Sequence, residues 1–182
     1  QPARDAKMLS GALRNFLNAA ASIGPDEHIL AELVADLDRW TQRLATIAVP
    51  EDDAIWRKAA RNEPSALLPA FDFRIEDDRL EGKVRFGRFH IGWQAAHGGA
   101  ISLVFDDILG VLTAHMGPLI ARTAYLHVDF RALVPVDTDL QLSAWPVREE
   151  GRKRLVRAQI KNGDVVCAEA EGLWITLRPD QL

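Results

Sequence analysis

Apolar residues recur every three or four positions over the first part of the chain, then every second position from Phe71 onward. The first period is that of an amphipathic helix and the second that of a half-buried strand. Leu9, Leu13, Phe16 and Leu17 predict one helix, and Ile29, Leu30, Leu33, Leu37, Trp40 and Leu44 predict a second, together covering about Ala6 to Val49. Ser22-Ile23-Gly24-Pro25-Asp26 is the break between them; Pro25 suits the start of the second helix and Pro50 its end. Two such helices cannot bury enough surface alone, so they are expected to pack on the rest of the chain or on a neighbouring subunit. Glu51 to Leu68 reads as a polar, proline-containing connector, with one short helix around Trp56.

Beyond the connector, Leu80, Gly82, Val84 and Phe86 alternate with Glu81, Lys83 and Arg85. Ala124, Leu126, Val128 and Phe130 alternate with Thr123, Tyr125, His127, Asp129 and Arg131. Leu140 and Leu142, then Val156, Ala158 and Ile160, continue the pattern, and a long last strand covers Val165 to Leu177. Glu149-Glu150-Gly151 and Asn162-Gly163-Asp164 read as hairpin turns. A single strong helix interrupts the strands, from about Gly98 to His115, and it is apolar nearly all round. The simplest arrangement is an α+β fold, with an antiparallel sheet wrapped around one central helix and a helical extension in front. The expected division is a helical arm and connector over 1–68 and a sheet domain over 69–182.

Composition narrows the function classes. The chain has 182 residues, 48% of them hydrophobic and 26% charged, with a net charge of −4. Residues 1–60 hold seven Lys/Arg against nine Asp/Glu, a balance that argues against a helix-turn-helix gripping DNA. No nucleic-acid partner and no membrane span are expected, since no apolar run approaches the roughly 18 residues a bilayer needs. Cys167 is the single cysteine, so no internal disulfide can form. Gln1 to Ser10 lack the basic-then-apolar pattern of a signal peptide, and a cytoplasmic location is the expectation. The five histidines have no metal-ligand spacing, so neither a metal nor a bound cofactor is expected.

Chemistry concentrates on the central helix. A buried helix carrying Asp106 and Asp107 must pair them or raise their pKa. Adjacent helical residues point about 100° apart, so at most one faces a given cleft. The helix starts from Gln94-Ala95-Ala96-His97-Gly98-Gly99, where paired glycines leave backbone N–H groups bare and the dipole favours negative charge. A carbonyl becoming an oxyanion suits that place. A glycine-rich cap and interface carboxylates are the plain alternatives.

Taken together, His97-Gly98-Gly99-Ala100-Ile101-Ser102-Leu103-Val104-Phe105-Asp106 resembles the hot-dog-fold acyl-CoA thioesterases, in particular the branch related to the phenylacetate-pathway thioesterases. Val128-Asp129-Phe130-Arg131-Ala132-Leu133-Val134-Pro135-Val136 also resembles that family's second strand and the turn after it. The resemblance spans roughly Phe71 to Arg178 and leaves the front helices unexplained. It implies hydrolysis of an acyl-CoA at the interface of a homodimer or homotetramer, with CoA entering only as part of the substrate. The Gly99 amide would polarise the thioester carbonyl, His97 would shape the helix start, and Asp106 of another subunit would attack or activate water. His97 and Asp106 of one chain lie about 13 Å apart along a helix, too far to share one carbonyl. Gly98 and Gln94 would be further substrate contacts.

This sequence departs from the family in two places. An Asn that many relatives carry before the His-Gly-Gly is missing from His90-Ile91-Gly92-Trp93-Gln94. The strand Ser or Thr that positions water falls on Tyr125, with Thr123 two residues away on the same strand face. That substitution keeps a non-catalytic acyl-CoA-binding or regulatory module open beside hydrolysis, and acyl thioester hydration or dehydration is a further alternative. Arg152 and Arg154, in the basic run with Arg148 and Lys153, are candidates for the CoA phosphates or else a solvated turn. His28 and His90 read as solvent and loop residues, His115 as a dipole partner, His127 as a residue on the mixed face of a strand with an interface or pocket role as the lesser alternative, and Cys167 as a buried strand residue.

Overall fold

The computed structural model describes residues 2–50, 53–55, 67–117, 120–178 and 180. The chain divides into two compact units, Gln1–Ala66 and Leu67–Leu182, two residues before the boundary read from the sequence. The expected short helix around Trp56 lies outside the described residues.

The first unit holds α1 (Pro2–Ala20) and α2 (Glu27–Ala45). Asp26, not Pro25, sets the start of α2: its carboxylate accepts from the N–H groups of His28 and Ile29, both at 3.1 Å. α2 ends at Ala45 with Thr46 as its C-cap, five residues before the expected stop at Pro50. No residue of α2 is buried, and its apolar stripe from Ile29 to Leu44 is open to solvent.

The second unit contains β1 (Ala70–Glu76), β2 (Arg79–Arg85), a short 3₁₀ turn (Arg88–His90), α3 (Gly98–His115), β3 (Ala121–Phe130), β4 (Leu140–Glu150), β5 (Lys153–Asn162) and β6 (Val165–Thr176). The strands form one six-stranded antiparallel sheet in the order β1-β2-β4-β5-β6-β3, so β1 and β3 are its edges. Two hairpins close where expected, with Gly151 (φ +57°) and Gly163 (φ +58°) supplying the positive φ those turns need. The β1–β2 hairpin turns on Asp77 and Asp78, both at positive φ (49° and 57°).

One face of the sheet wraps α3. Ile101, Val104, Phe105, Ile108, Leu109 and Leu112 of the helix pack with Leu80, Val84, Leu142, Ile160 and Trp174 of the strands. Each such side chain contributes about 1.5–3 kcal/mol on leaving water. By length and composition α3, at 18 residues, would suit a bilayer, contrary to the expectation that no apolar run comes close. Its apolar surface is used against the sheet. The helix is also less enclosed than its composition predicts: Gly99, Leu103 and Asp106, at spacings of four and three, form an exposed stripe.

Candidate active site

α3 begins at a cap built from the residues before it. His97 is the N-cap, and its Nδ1 accepts from the Gly99 N–H at 3.0 Å. The accepting nitrogen carries no proton, so the neutral ring holds its proton on Nε2. The Gly99 amide expected to meet a substrate carbonyl is therefore already engaged. Gly98 N–H, one residue earlier, has no hydrogen-bond partner among the described residues. The free donor at this helix start is Gly98, which corrects the sequence assignment.

The segment before α3 is tied down at its backbone. His97 N–H donates to the His90 carbonyl at 2.8 Å, and Ala96 N–H to Val134 O at 2.8 Å. His90 is buried, which corrects its reading as a loop histidine; its Nε2 lies 2.9 Å from Leu67 O, and its Nδ1 has no partner among the described residues. Between these anchors a tight turn, Gly92 N–H to Ala95 O at 2.7 Å, lifts Trp93 and Gln94 into solvent. Gln94 sits at positive φ (64°), and its side chain makes no hydrogen bond among the described residues.

Asp106 is exposed on the open stripe of α3, and Thr123 Oγ1 of β3 donates to its Oδ1 at 3.0 Å. That contact overturns the expected strand geometry. A β-bulge between Thr123 and Tyr125 breaks the alternation, so the two do not share a face. Thr123 turns in towards α3, whereas Tyr125 points to the outer side of the sheet and donates to Glu171 at 3.3 Å. The strand hydroxyl at the carboxylate is Thr123, and the position assigned to Tyr125 was displaced by the bulge. His127 also lies on the outer side, exposed, 3.4 Å from Asp129.

Asp107 occupies the more buried direction. Burial first, and the neighbouring Asp106 charge second, push its pKa up from 3.8 to about 6. No donor among the described residues reaches it. The two carboxylates thus separate as the helix geometry requires: one is open and held by a hydroxyl, the other is desolvated.

The helix start and the carboxylate both lie along β3. A Cβ placed on Gly98 would come within 3.1 Å of the Phe130 ring, so the end of β3 abuts Gly98 while Thr123, near its beginning, holds Asp106. Nothing in the sequence pattern marked Phe130 as a neighbour of the helix start.

The basic run divides. Arg154 is buried, with Nη1 on Thr113 O at 2.8 Å and Nε on Glu149 at 3.1 Å. It caps the last turn of α3 and cannot serve as a phosphate contact, which corrects that expectation. Arg152 is exposed and spends Nη1 on Thr176 O at 2.9 Å. Arg148 is exposed beside Glu150. Cys167 is buried on β6. Among the described residues no cluster of three or more His, Cys, Asp or Glu is arranged to hold a metal.

Comparison with known proteins agrees with this architecture. Residues 94–171 match the thioesterase superfamily, a stretch that contains His97, Gly98, Asp106 and Thr123. Acyl-coenzyme A thioesterase THEM4 of Rattus norvegicus is 31% identical over 87 residues, covering 47% of this chain and 37% of that protein. The chain therefore aligns with little more than a third of that relative's length. A solved thioesterase superfamily protein superposes with a TM-score of 0.77 at 23% identity, covering 93% of this chain and 94% of the other. The Escherichia coli PaaI protein of the phenylacetic acid degradation operon gives 0.55 at 15% identity, over 59% of this chain and 80% of its own. A Streptococcus mutans protein solved with acetyl CoA gives 0.56 at 18%, over 59% and 89%. At these identities the structural likenesses speak to fold. Residues 94–171 are thus similar to the thioesterase superfamily, and the six-stranded sheet wrapped around α3 is the hot-dog fold.

Proposed function

We propose that the chain hydrolyses an acyl-CoA thioester to the free acid and CoA, at a site assembled from two copies. The carrying observation is Asp106, exposed on α3 and fixed by the Thr123 hydroxyl at 3.0 Å. The family match, the acyl-CoA thioesterase relative and the acetyl-CoA-bound fold neighbour support the substrate class.

The two-copy site follows from where its halves lie. β3 is an edge strand with one unpaired side, ten residues long, which a second copy can extend. Antiparallel pairing about the middle of β3 sets the Thr123 end of one copy opposite the Phe130 end of the other. Asp106 of one chain then approaches Gly98 of its partner. In that arrangement the free Gly98 N–H receives the thioester oxygen as it gains negative charge, helped by the α3 dipole. Asp106 takes a proton from the water that attacks the carbonyl carbon, or attacks it directly to give a mixed anhydride that water then cleaves to the free acid; in either route the CoA thiolate leaves. Thr123 spends its proton on Oδ1 and leaves Oδ2 for the reacting partner. His97 holds the first turn in shape.

Thiol release from a panel of acyl-CoAs tests this. Asp106→Asn should lower kcat by about 100-fold or more, in line with loss of a general base or nucleophile. Thr123→Val should lower it less, by about tenfold, the low end of what one hydrogen bond to a carboxylate contributes. Undiminished turnover in folded Asp106→Asn would remove Asp106 from the chemistry. A larger loss on Asp107→Asn would mean that the neighbouring carboxyl is the reactive one.

A further inference from the structure

We infer that α2 is a self-association surface, on which two copies of the chain pair their second helices antiparallel, separately from the β3 edge. An isolated amphipathic helix of 19 residues is marginal in water unless its apolar face is covered. Among the described residues of this unit the face is uncovered: Leu30, Val34, Leu37, Trp40 and Leu44 are all exposed, Trp40 by 54%. Contiguous apolar stripes of this length mark interaction sites.

The spacing of the stripe identifies the occupant. Leu30, Leu33, Leu37, Trp40 and Leu44 step by three and four in turn, the seam of a two-helix coiled coil. In an antiparallel pair, seating Leu33 against Leu44 of the second copy also seats Leu37 against its Trp40 and Leu30 beside its Ile47, just past the helix end. Each layer occurs twice by symmetry. The charged residues flanking this seam are Asp36 and Arg43, one heptad apart. In this register Asp36 faces Arg43 of the second copy, again twice. Sliding the helices by one heptad sets Asp36 against Asp36 in one direction and Arg43 against Arg43 in the other. A parallel pair leaves Asp36 opposite the uncharged Thr41. One register of one orientation thus satisfies both the apolar layers and the charges. α1 offers no such code, because the matching flanks there, Ser10, Ala12, Leu17 and Ala19, are uncharged. Within the single chain Asp36 pairs with Arg39, and the Arg43 guanidinium sits 4.5 Å from the centre of the Trp40 ring, so both are placed beside the seam.

Charge exchange tests the pairing, read by sedimentation equilibrium over a range of protein concentrations. Asp36→Arg and Arg43→Asp should each weaken the α2-dependent association step about tenfold, since two attractive contacts become repulsive. The double exchange should return it to within about threefold of the parent. Leu37→Glu should abolish the step while circular dichroism shows the sheet unit intact. None of these positions belongs to the proposed site, so thiol release and the β3-edge association should be untouched. Single exchanges without effect, or a double exchange no tighter than the singles, would overturn the pairing whatever the outcome at Asp106.

Discussion

Asp107 is the carboxyl that α3 holds away from water, and its effect on stability has a definite sign. Its pKa stands near 6 in the folded chain against 3.8 for the ordinary group, through burial and then the Asp106 charge. Between those values the folded chain binds more protons than the unfolded one, so stability falls as pH rises through that window and is flat above it. A rise of this size corresponds to about 3 kcal/mol for a group shut off from water, and partial exposure reduces it to about 1–2 kcal/mol. Asp107→Asn removes the ionisation. The variant should match the parent near pH 3 and exceed it by about 1–2 kcal/mol at pH 7.5. Thermal melts at several pH values check this, and parallel curves for the two proteins would show that Asp107 is solvated after all.

At the scale of elements, α3 is held at both ends by side chains from outside its own span. His97 caps the first turn, and Arg154, reaching from β5, closes the last through Thr113 O. Gly117 lies so close to the guanidinium that a Cβ there would sit 2.5 Å from Nη2. Arg154→Met keeps the volume but leaves the Thr113 carbonyl buried without a donor, at a cost of about 2 kcal/mol. Urea titration should show a lower midpoint with an unchanged slope, and Arg154→Lys should recover only part of it. A midpoint equal to the parent's would mean that water satisfies Thr113. The bounds of α3 were legible in the sequence, because an apolar run behind His-Gly-Gly carries both its start signal and its burial. The Gly151 and Gly163 hairpins were legible through turn chemistry. The β1–β2 hairpin was not, since Asp77-Asp78 carries no glycine. His97, Gly99 and Asp106 stood out as candidates through their residue types and spacing, but the shift of the free donor from Gly99 to Gly98 did not. The role of Thr123 could not be read by alternation, because a bulge is set by how β3 meets β6 and α3 and reverses the parity that a sequence reader counts. The burial of Arg154 and the engagement of Gly99 by His97 are contacts whose signals lie far apart in the chain or in a side-chain rotamer.

At the scale of the whole molecule, the proposed site needs two chains, and that can be separated from every one-chain alternative by mixing. Gly98→Pro removes the free N–H while leaving the helix start in place. Proline suits the first helical position, and His97, at φ −65° and ψ 136°, already has the backbone a residue before proline adopts. The Phe130 ring must yield by a few tenths of an ångström. Gly98→Pro chains keep Asp106, and Asp106→Asn chains keep the Gly98 donor. Each protein alone should be nearly inactive. In a two-chain site, a mixed dimer holds one site with both groups intact and one with neither. Unfolding and refolding an equal mixture yields mixed dimers in half the population, so about a quarter of the parent activity should return. In a one-chain site every active centre lacks one group, and the mixture stays as inactive as its parts. The same mixture made with the α2 charge exchange in both chains should recover equally well, because the β3 edge, not the helical arm, brings Gly98 to Asp106.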